Sequence, residues 1–249
     1  MFTDTHCHIY SEYYDDIDSI IKLSESKGVI RFINNGCNQR TNEEILKLIE
    51  KYPNMYGALG IHPEDIDDYS IDDINFIEGN IGNKKIIAIG EIGLDYHYSK
   101  DDKEEQIKLF ELQLKLAEKY NLPVIVHSRD ATLDTINILK KYNVKGIIHS
   151  FSGSLETAKE YIKMGYLIGI NGVITFKNCN LKDVVNNLPI SNIVLETDSP
   201  YLTPTPDRGK QNNPGYIKEI AIFVSNIYNI PIKELAKQTD ENVRKMFNI

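Results

Sequence analysis

PVIVHSRD, residues 123–130, sets an unbroken apolar run, Val124 to Val126, directly ahead of a histidine. A strand with one wet face alternates apolar and polar side chains, so a continuous β-branched run reads as a strand covered on both faces. His127 is then the first polar side chain at the strand's exit. GIIHSFSG (146–153) repeats the arrangement, with Ile147 and Ile148 ahead of His149. Working outward, runs of the same kind lie at Phe2–Thr5, Val29–Asn34, Met55–Leu59, Lys85–Ile89, Tyr166–Ile168 and Ile193–Leu195; with Pro123–Val126 and Gly146–Ile148 they make eight.

Amphipathic segments separate the runs. Residues 102–119 carry Ile107, Phe110, Leu114 and Ala117 at three- and four-residue steps, and Asn121 follows as a stop. Residues 42–51 carry Ile45, Leu46 and Ile49, with Asn42 as candidate cap and Glu43 and Glu44 in the first turn. Segments 16–27, 131–141, 154–163, 215–228 and 231–247 read similarly, Pro231 standing at the first turn of the last, while 70–79 and 180–188 are weaker. Strand then helix, eight times in 249 residues, predicts a single α/β domain spanning 1–249 and built as a (β/α)8 TIM barrel. The competing architecture, a doubly wound open sheet, needs a glycine-rich phosphate loop after its first strand, and Cys7–Ser11 contains no glycine.

Composition narrows the function classes. Hydrophobic residues are 41% of the chain, enough for a sizeable core, and nine prolines and fifteen glycines are too few for a disordered or fibrous chain. Lys and Arg number 28 against 36 Asp and Glu, so the net charge of −8 excludes a small basic binder and disfavours a purely electrostatic grip on DNA or RNA. Cys7, Cys37 and Cys179 form no CxxC pair, which argues against a zinc knuckle or a disulfide scaffold. With no secretory signal and no long apolar run, the expectation is a cytoplasmic protein with no membrane partner and no obligate protein partner.

The titratable residues gather at strand exits. His6, His8, His62, His97, His127 and His149 all fall at or just beyond the end of a predicted strand, as do Glu91 and Asp198. In a barrel those ends share the face on which active sites are built. Asp4, His6 and His8 have the two-residue period of one strand face, so the two imidazoles can bind one divalent metal, with Asp4 either orienting a ring or lying beneath the metal. Cys7, between them, should face the opposite way. Glu91 lies in a turn after the fourth run, between Gly90 and Gly93, whose small size lets backbone approach closely; its two oxygens can bridge two cations. Asp95 either orients a histidine or binds substrate. Arg129 is a fork donor suited to a phosphate or to a surface salt bridge. Asp198 can bind a metal through one oxygen and take a proton from water with the other, and Glu196 has the strand phase to serve in its place. The mixed N/O donor set suits Zn, Mn, Mg, Fe or Co.

TDTHCH (3–8), GIHPED (60–65), GEIGLDYH (90–97), VHSRD (126–130), HSFSG (149–153) and ETDSPYLTP (196–204), in that order, resemble the TatD family of metal-dependent hydrolases across residues 1–247. The resemblance implies an amidohydrolase-like (β/α)8 barrel, two divalent metal ions (Mg, Mn, Zn or Co) and deoxyribonuclease activity of 3′–5′ exonuclease type in DNA repair. Its substrate would be DNA, single-stranded or with frayed ends, attacked by metal-activated water. It also implies His6, His8 and Asp198 on one metal, His127 and His149 on the other, and Glu91 as the bridge, with Asp198 and Glu91 catalytic. His62 matches a phosphate-facing position and is expected to touch the scissile phosphate and no metal; Asp95, Arg129 and Tyr201 match substrate-side positions. Where the family often reads His-Arg-Gly-Lys-Arg-Asn-Glu-Pro, residues 207–214 read DRGKQNNP, without the His, the second Arg and the Glu. The alternative activity is amidohydrolase-like cleavage of a small amide or ester, including an aminoacyl ester. Against it, Glu91 stands in the bridging role that a carboxylated lysine would otherwise fill.

Overall fold

The computed structural model describes residues 1–97 and 102–249. Its strands are β1 (Phe2–Cys7), β2 (Val29–Asn35), β3 (Met55–Leu59), β4 (Ile86–Asp95), β5 (Val124–Arg129), β6 (Gly146–Ile148), β7 (Leu167–Ile170) and β8 (Ile193–Leu195). The helices are α1 (Ile17–Ser26), α2 (Gln39–Lys51), α3 (Ile71–Asn80), α4 (Lys103–Tyr120), α5 (Thr132–Leu139), α6 (Leu155–Lys163), α7 (Leu181–Asn186), α8 (Ile217–Tyr228) and α9 (Ile232–Phe247). The strands run in chain order in one parallel sheet, and β8 lies against β1. With helices between successive strands, that is the (β/α)8 barrel fold. Among the described residues no helix is long and apolar enough to cross a membrane.

The chain divides into two compact units. One comprises Met1–Asn34, Ser150–Lys163 and Leu167–Ile249 and carries β1, nearly all of β2, β7 and β8. Its β1 is buried along its whole length, and His6 and Cys7 are completely inaccessible. Asp4 pairs with Phe32 and Cys7 with Asn34, so β1 spends three steps where β2 spends two, and an extra residue bulges out around His6. That bulge breaks the two-residue period and takes Asp4 out of phase with the histidines. Asp4 therefore orients no imidazole: its carboxylate accepts from the backbone N (2.9 Å) and hydroxyl (2.5 Å) of Thr197 and from the backbone N of His6 (3.3 Å). Cys7 turns the other way, as expected, its thiol 3.4 Å from the Ile33 carbonyl.

The other unit comprises Asn35–His149 and Met164–Tyr166, with β3 to β6. Here β4 runs ten residues, not the five expected, and Glu91 sits inside the strand and not in a turn beyond it. The reason is a second bulge: Ile89 pairs with Val124 and Ile92 with Val126, so one extra residue is absorbed beside Glu91 and pairing then resumes. Gly93, at φ +149°, passes so close to β5 that any side chain there would strike the His127 carbonyl. Helix α2 starts earlier than the apolar pattern indicates. Asn38, not Asn42, is its cap, accepting from Thr41 N at 3.1 Å.

Asn42 is instead one of four buried carboxamides that each bond both backbone groups of one residue beside a strand exit. Asn42 binds Gly60 (2.9 and 3.2 Å), Gln113 binds Ile61 (2.8 and 3.0 Å) and Gln106 binds Asp95 (2.9 and 2.8 Å). In the first unit Asn34 binds Ile9 (2.7 and 3.1 Å). Ile61 precedes His62, and Gln113 clamps both of its backbone groups, so Gln113→Leu leaves a buried donor and a buried acceptor unmatched and is expected to cost about 2–4 kcal/mol. Urea unfolding of the two proteins measures this; a change below about 1 kcal/mol would mean that water replaces the amide at no cost.

Candidate metal centre

In the first unit the backbone brings three donors together. Beyond β8 the chain continues alongside β1: Asp198 N donates to the His6 carbonyl (2.9 Å) and His8 N to the Ser199 carbonyl (2.8 Å). Asp198 takes φ +56°, the left-handed region that Asp and Asn tolerate best among residues with a side chain. The result is a triangle. His6 Nε2 and His8 Nε2 are 3.0 Å apart, and Asp198 Oδ1 lies 3.8 and 3.5 Å from them. The point equidistant from three atoms so spaced is about 2.0 Å from each, the length of a bond from zinc to nitrogen or oxygen. The side chains fit a divalent ion. Glu196, the competing carboxylate, is fully buried and accepts from Ser150 N at 2.6 Å.

In the second unit Glu91 Oε1 is the hub. His127 Nδ1 lies 3.0 Å from it, His62 Nε2 3.6 Å and His149 Nε2 3.8 Å. Asp95 Oδ2 sits 2.9 Å from His127 Nε2, the pattern in which a carboxylate fixes one ring nitrogen so that the other offers its lone pair to a metal. Burial pushes the Asp95 carboxyl up, but hydrogen bonds from His127 and the His97 backbone outweigh it and hold the group below its ordinary range. Burial pushes His127 down, and hydrogen bonds to Asp95 and Glu91 more than reverse this, raising it to about 9.

His62 is set apart by its own backbone. It caps the 3-10 turn Pro63–Asp65, its Nδ1 accepting from Glu64 N at 3.2 Å. Its Nε2 faces Glu91, close enough that His62, Glu91 and His127 could share an ion. His97, at the exit of β4, pairs with Asp130 at 3.0 Å and is half-exposed. Arg129 ends β5 and is exposed; its carbonyl accepts from Tyr96 N. Tyr201 belongs to the first unit, its ring 6.3 Å from that of His8. The sequence reading missed Thr197, which anchors Asp4, and Tyr10 and Tyr13 beside Tyr201; tyrosines at 10, 13 and 14 just past the first strand and at 201 past the last were the available signal.

Histidines and carboxylates clustered at the strand exits of a (β/α)8 sheet define a metal-dependent hydrolase. The family model for TatD-related DNases matches residues 3–248, and the chain belongs to that family. It is 39% identical over 254 residues to the uncharacterized metal-dependent hydrolase YabD of Bacillus subtilis, with all of both chains covered. It is 32% identical to the Homo sapiens deoxyribonuclease TATDN3, over 98% of this chain and 93% of that one. The crystal structure of the TatD homologue YjjV from Escherichia coli matches with a TM-score of 0.94 at 31% identity, covering 100% of this chain and 98% of that one.

A metal bound by His127 must displace a proton from a ring that keeps it up to pH about 9. Metal uptake is therefore expected to release close to one proton per ion at this cluster at pH 7, and the affinity to rise with pH until about 9. Calorimetric titration in buffers of different ionisation enthalpy counts the proton. Asp95→Asn should reduce the count, and an unchanged count would separate Asp95 from the ring's protonation.

Proposed function

We propose that this hydrolase cleaves phosphodiester bonds of DNA, acting from a single-stranded or frayed 3′ end. What carries the reading is the presence of a histidine–carboxylate cluster in each unit of a chain belonging to the TatD-related DNase family. His6, His8 and Asp198 would hold one divalent ion, and Glu91, His127 and His149 a second. Bound there, such ions would supply Lewis acidity toward a phosphoryl group and lower the pKa of a bound water.

The chain's own residues supply orientation and proton transfer. Asp198 is the carboxylate that would take a proton from the attacking water. Its side chain is 13% exposed against 0% and 7% for His6 and His8, so solvent reaches it more readily than its neighbours. His62 donates from Nε2 to a phosphate oxygen, its other nitrogen being occupied by Glu64 N. Arg129 presents its planar fork to a neighbouring phosphate. Asp95 holds the His127 ring in place.

Asp198→Asn keeps the shape and the left-handed backbone preference but removes the charge and the base. The protein is expected to fold, to retain at least one metal, and to lose roughly 10²- to 10⁴-fold in kcat/KM on end-labelled single-stranded DNA between pH 6 and 9. Near-normal activity at full metal content would remove Asp198 from the mechanism.

His62→Ala should leave metal content unchanged while lowering turnover roughly 10- to 1000-fold. Loss of a full metal equivalent would make His62 a ligand. Both assays run on protein stripped and reloaded with Mg, Mn, Zn or Co, beside a panel of small esters and amides. Turnover of that panel with no cleavage of DNA would overturn the nuclease reading.

A further inference from the structure

Four rings close a circuit beside the first cluster. The His8 and Tyr10 centroids are 5.9 Å apart, Tyr10 and Tyr13 6.0 Å, Tyr13 and Tyr201 5.8 Å, and Tyr201 and His8 6.3 Å. Tyr10 is buried, whereas Tyr201 keeps 50% of its surface exposed and Tyr13 is partly exposed. The Tyr201 hydroxyl donates to that of Tyr13 at 2.9 Å, and the two rings meet at 71°, forming a corner.

Tyr201 is fixed to a residue of the cluster, and Tyr13 to a turn that follows it. Tyr201 N donates to the Asp198 carbonyl (2.9 Å), and Tyr13 sits on a turn closed by its N–H on the Tyr10 carbonyl (3.0 Å), two residues past His8. The loop at 207–213 fastens that turn from outside: Gln211 donates to the Tyr13 carbonyl (2.6 Å) and the Tyr14 hydroxyl to the Asn212 carbonyl (2.7 Å). Large aromatic area left in solvent beside a polar centre is a place for a flat ligand.

We infer that Tyr13 and Tyr201 form a stacking corner for one unpaired nucleobase of the strand whose phosphate lies at His6, His8 and Asp198. This rests on the nuclease reading and gives it a substrate preference. A base inside a duplex is already stacked on both faces, so only an unpaired base offers a face to the corner. Stacking tolerates any base and needs no positive charge, which suits a chain of net charge −8.

The test uses single-stranded oligonucleotides with one abasic site at each of the last few positions in turn. With the wild-type enzyme, one of those positions should raise KM about 5- to 100-fold. Tyr13→Ala should raise KM on the intact strand by a similar factor and erase its sensitivity to the abasic site. Tyr13→Phe and Tyr13→Trp, which keep a ring, should restore the wild-type pattern and so separate stacking from a merely structural role.

As a readout independent of turnover, 2-aminopurine at the sensitive position should be quenched on binding Asp198→Asn protein, and not when Tyr13→Ala is added. Cleavage of DNA with KM indifferent to the abasic site and to Tyr13→Ala would overturn this inference alone. Neither cleavage nor quenching of any strand would overturn the nuclease reading and the inference with it.

Discussion

A primary carboxamide carries one acceptor and one donor side by side, the same pair that a neighbouring strand presents to a backbone. Four such groups, Asn34, Asn42, Gln106 and Gln113, close the hydrogen bonding of Ile9, Gly60, Asp95 and Ile61 where each chain leaves its strand. All four are 0–3% exposed. A buried peptide group without a partner costs about as much as a lost hydrogen bond, so strand exits in a packed interior need something to finish them. Because each amide makes two bonds, it fixes the orientation of the peptide as well as its position. His8, His62 and Asp95 inherit that precision: two of them lie next to a clamped residue and the third is one.

Local pattern carries the strands and helices, and it carries less well whatever depends on a partner. The aliphatic runs before His127 and His149 place β5 and β6 with their histidines, because a buried strand needs no information beyond its own apolar continuity. The bulges near His6 and Glu91 depend on registers with β2 and β5, which neither segment encodes by itself. Hence Glu91 reads as a turn residue between glycines although it lies within a strand, and Asp4 reads as the first of three in-phase residues although it bonds Thr197, 193 positions away. The amides show a weaker trace. Gln106 and Gln113 occupy the same face as Phe110 and Ala117, at three- and four-residue spacing, where a solvent-facing glutamine has no business.

The buried acids and the histidine differ in what holds their charge. Burial pushes Asp4 up to about 8 despite three hydrogen bonds, which leaves it a poor source of negative charge near neutral pH. Asp95, with the His127 ring against it, stays ionised. Glu91 Oε1 faces His127, His62 and His149, and Asp198 Oδ1 faces His6 and His8. Divalent ions at these clusters would bring positive charge into a chain of net charge −8.

The loop at 207–214 shows why three departures from the family's motif leave the centre in place. Asn212, which the motif shares, donates to the carbonyls of Thr197 and Tyr201, so the chain before and after Asp198 stays anchored. The residues that differ serve their own loop. Asp207 pairs with Lys210, Asn213 caps the turn at Gly215, and Gln211 reaches the Tyr13 carbonyl. An arginine at 211 would bring a charge to the edge of the aromatic corner; glutamine brings a neutral donor that positions the Tyr13 turn and leaves the corner's attraction to its rings. The chain around Asp198 and the Tyr13 turn are thus held by different residues of one short segment.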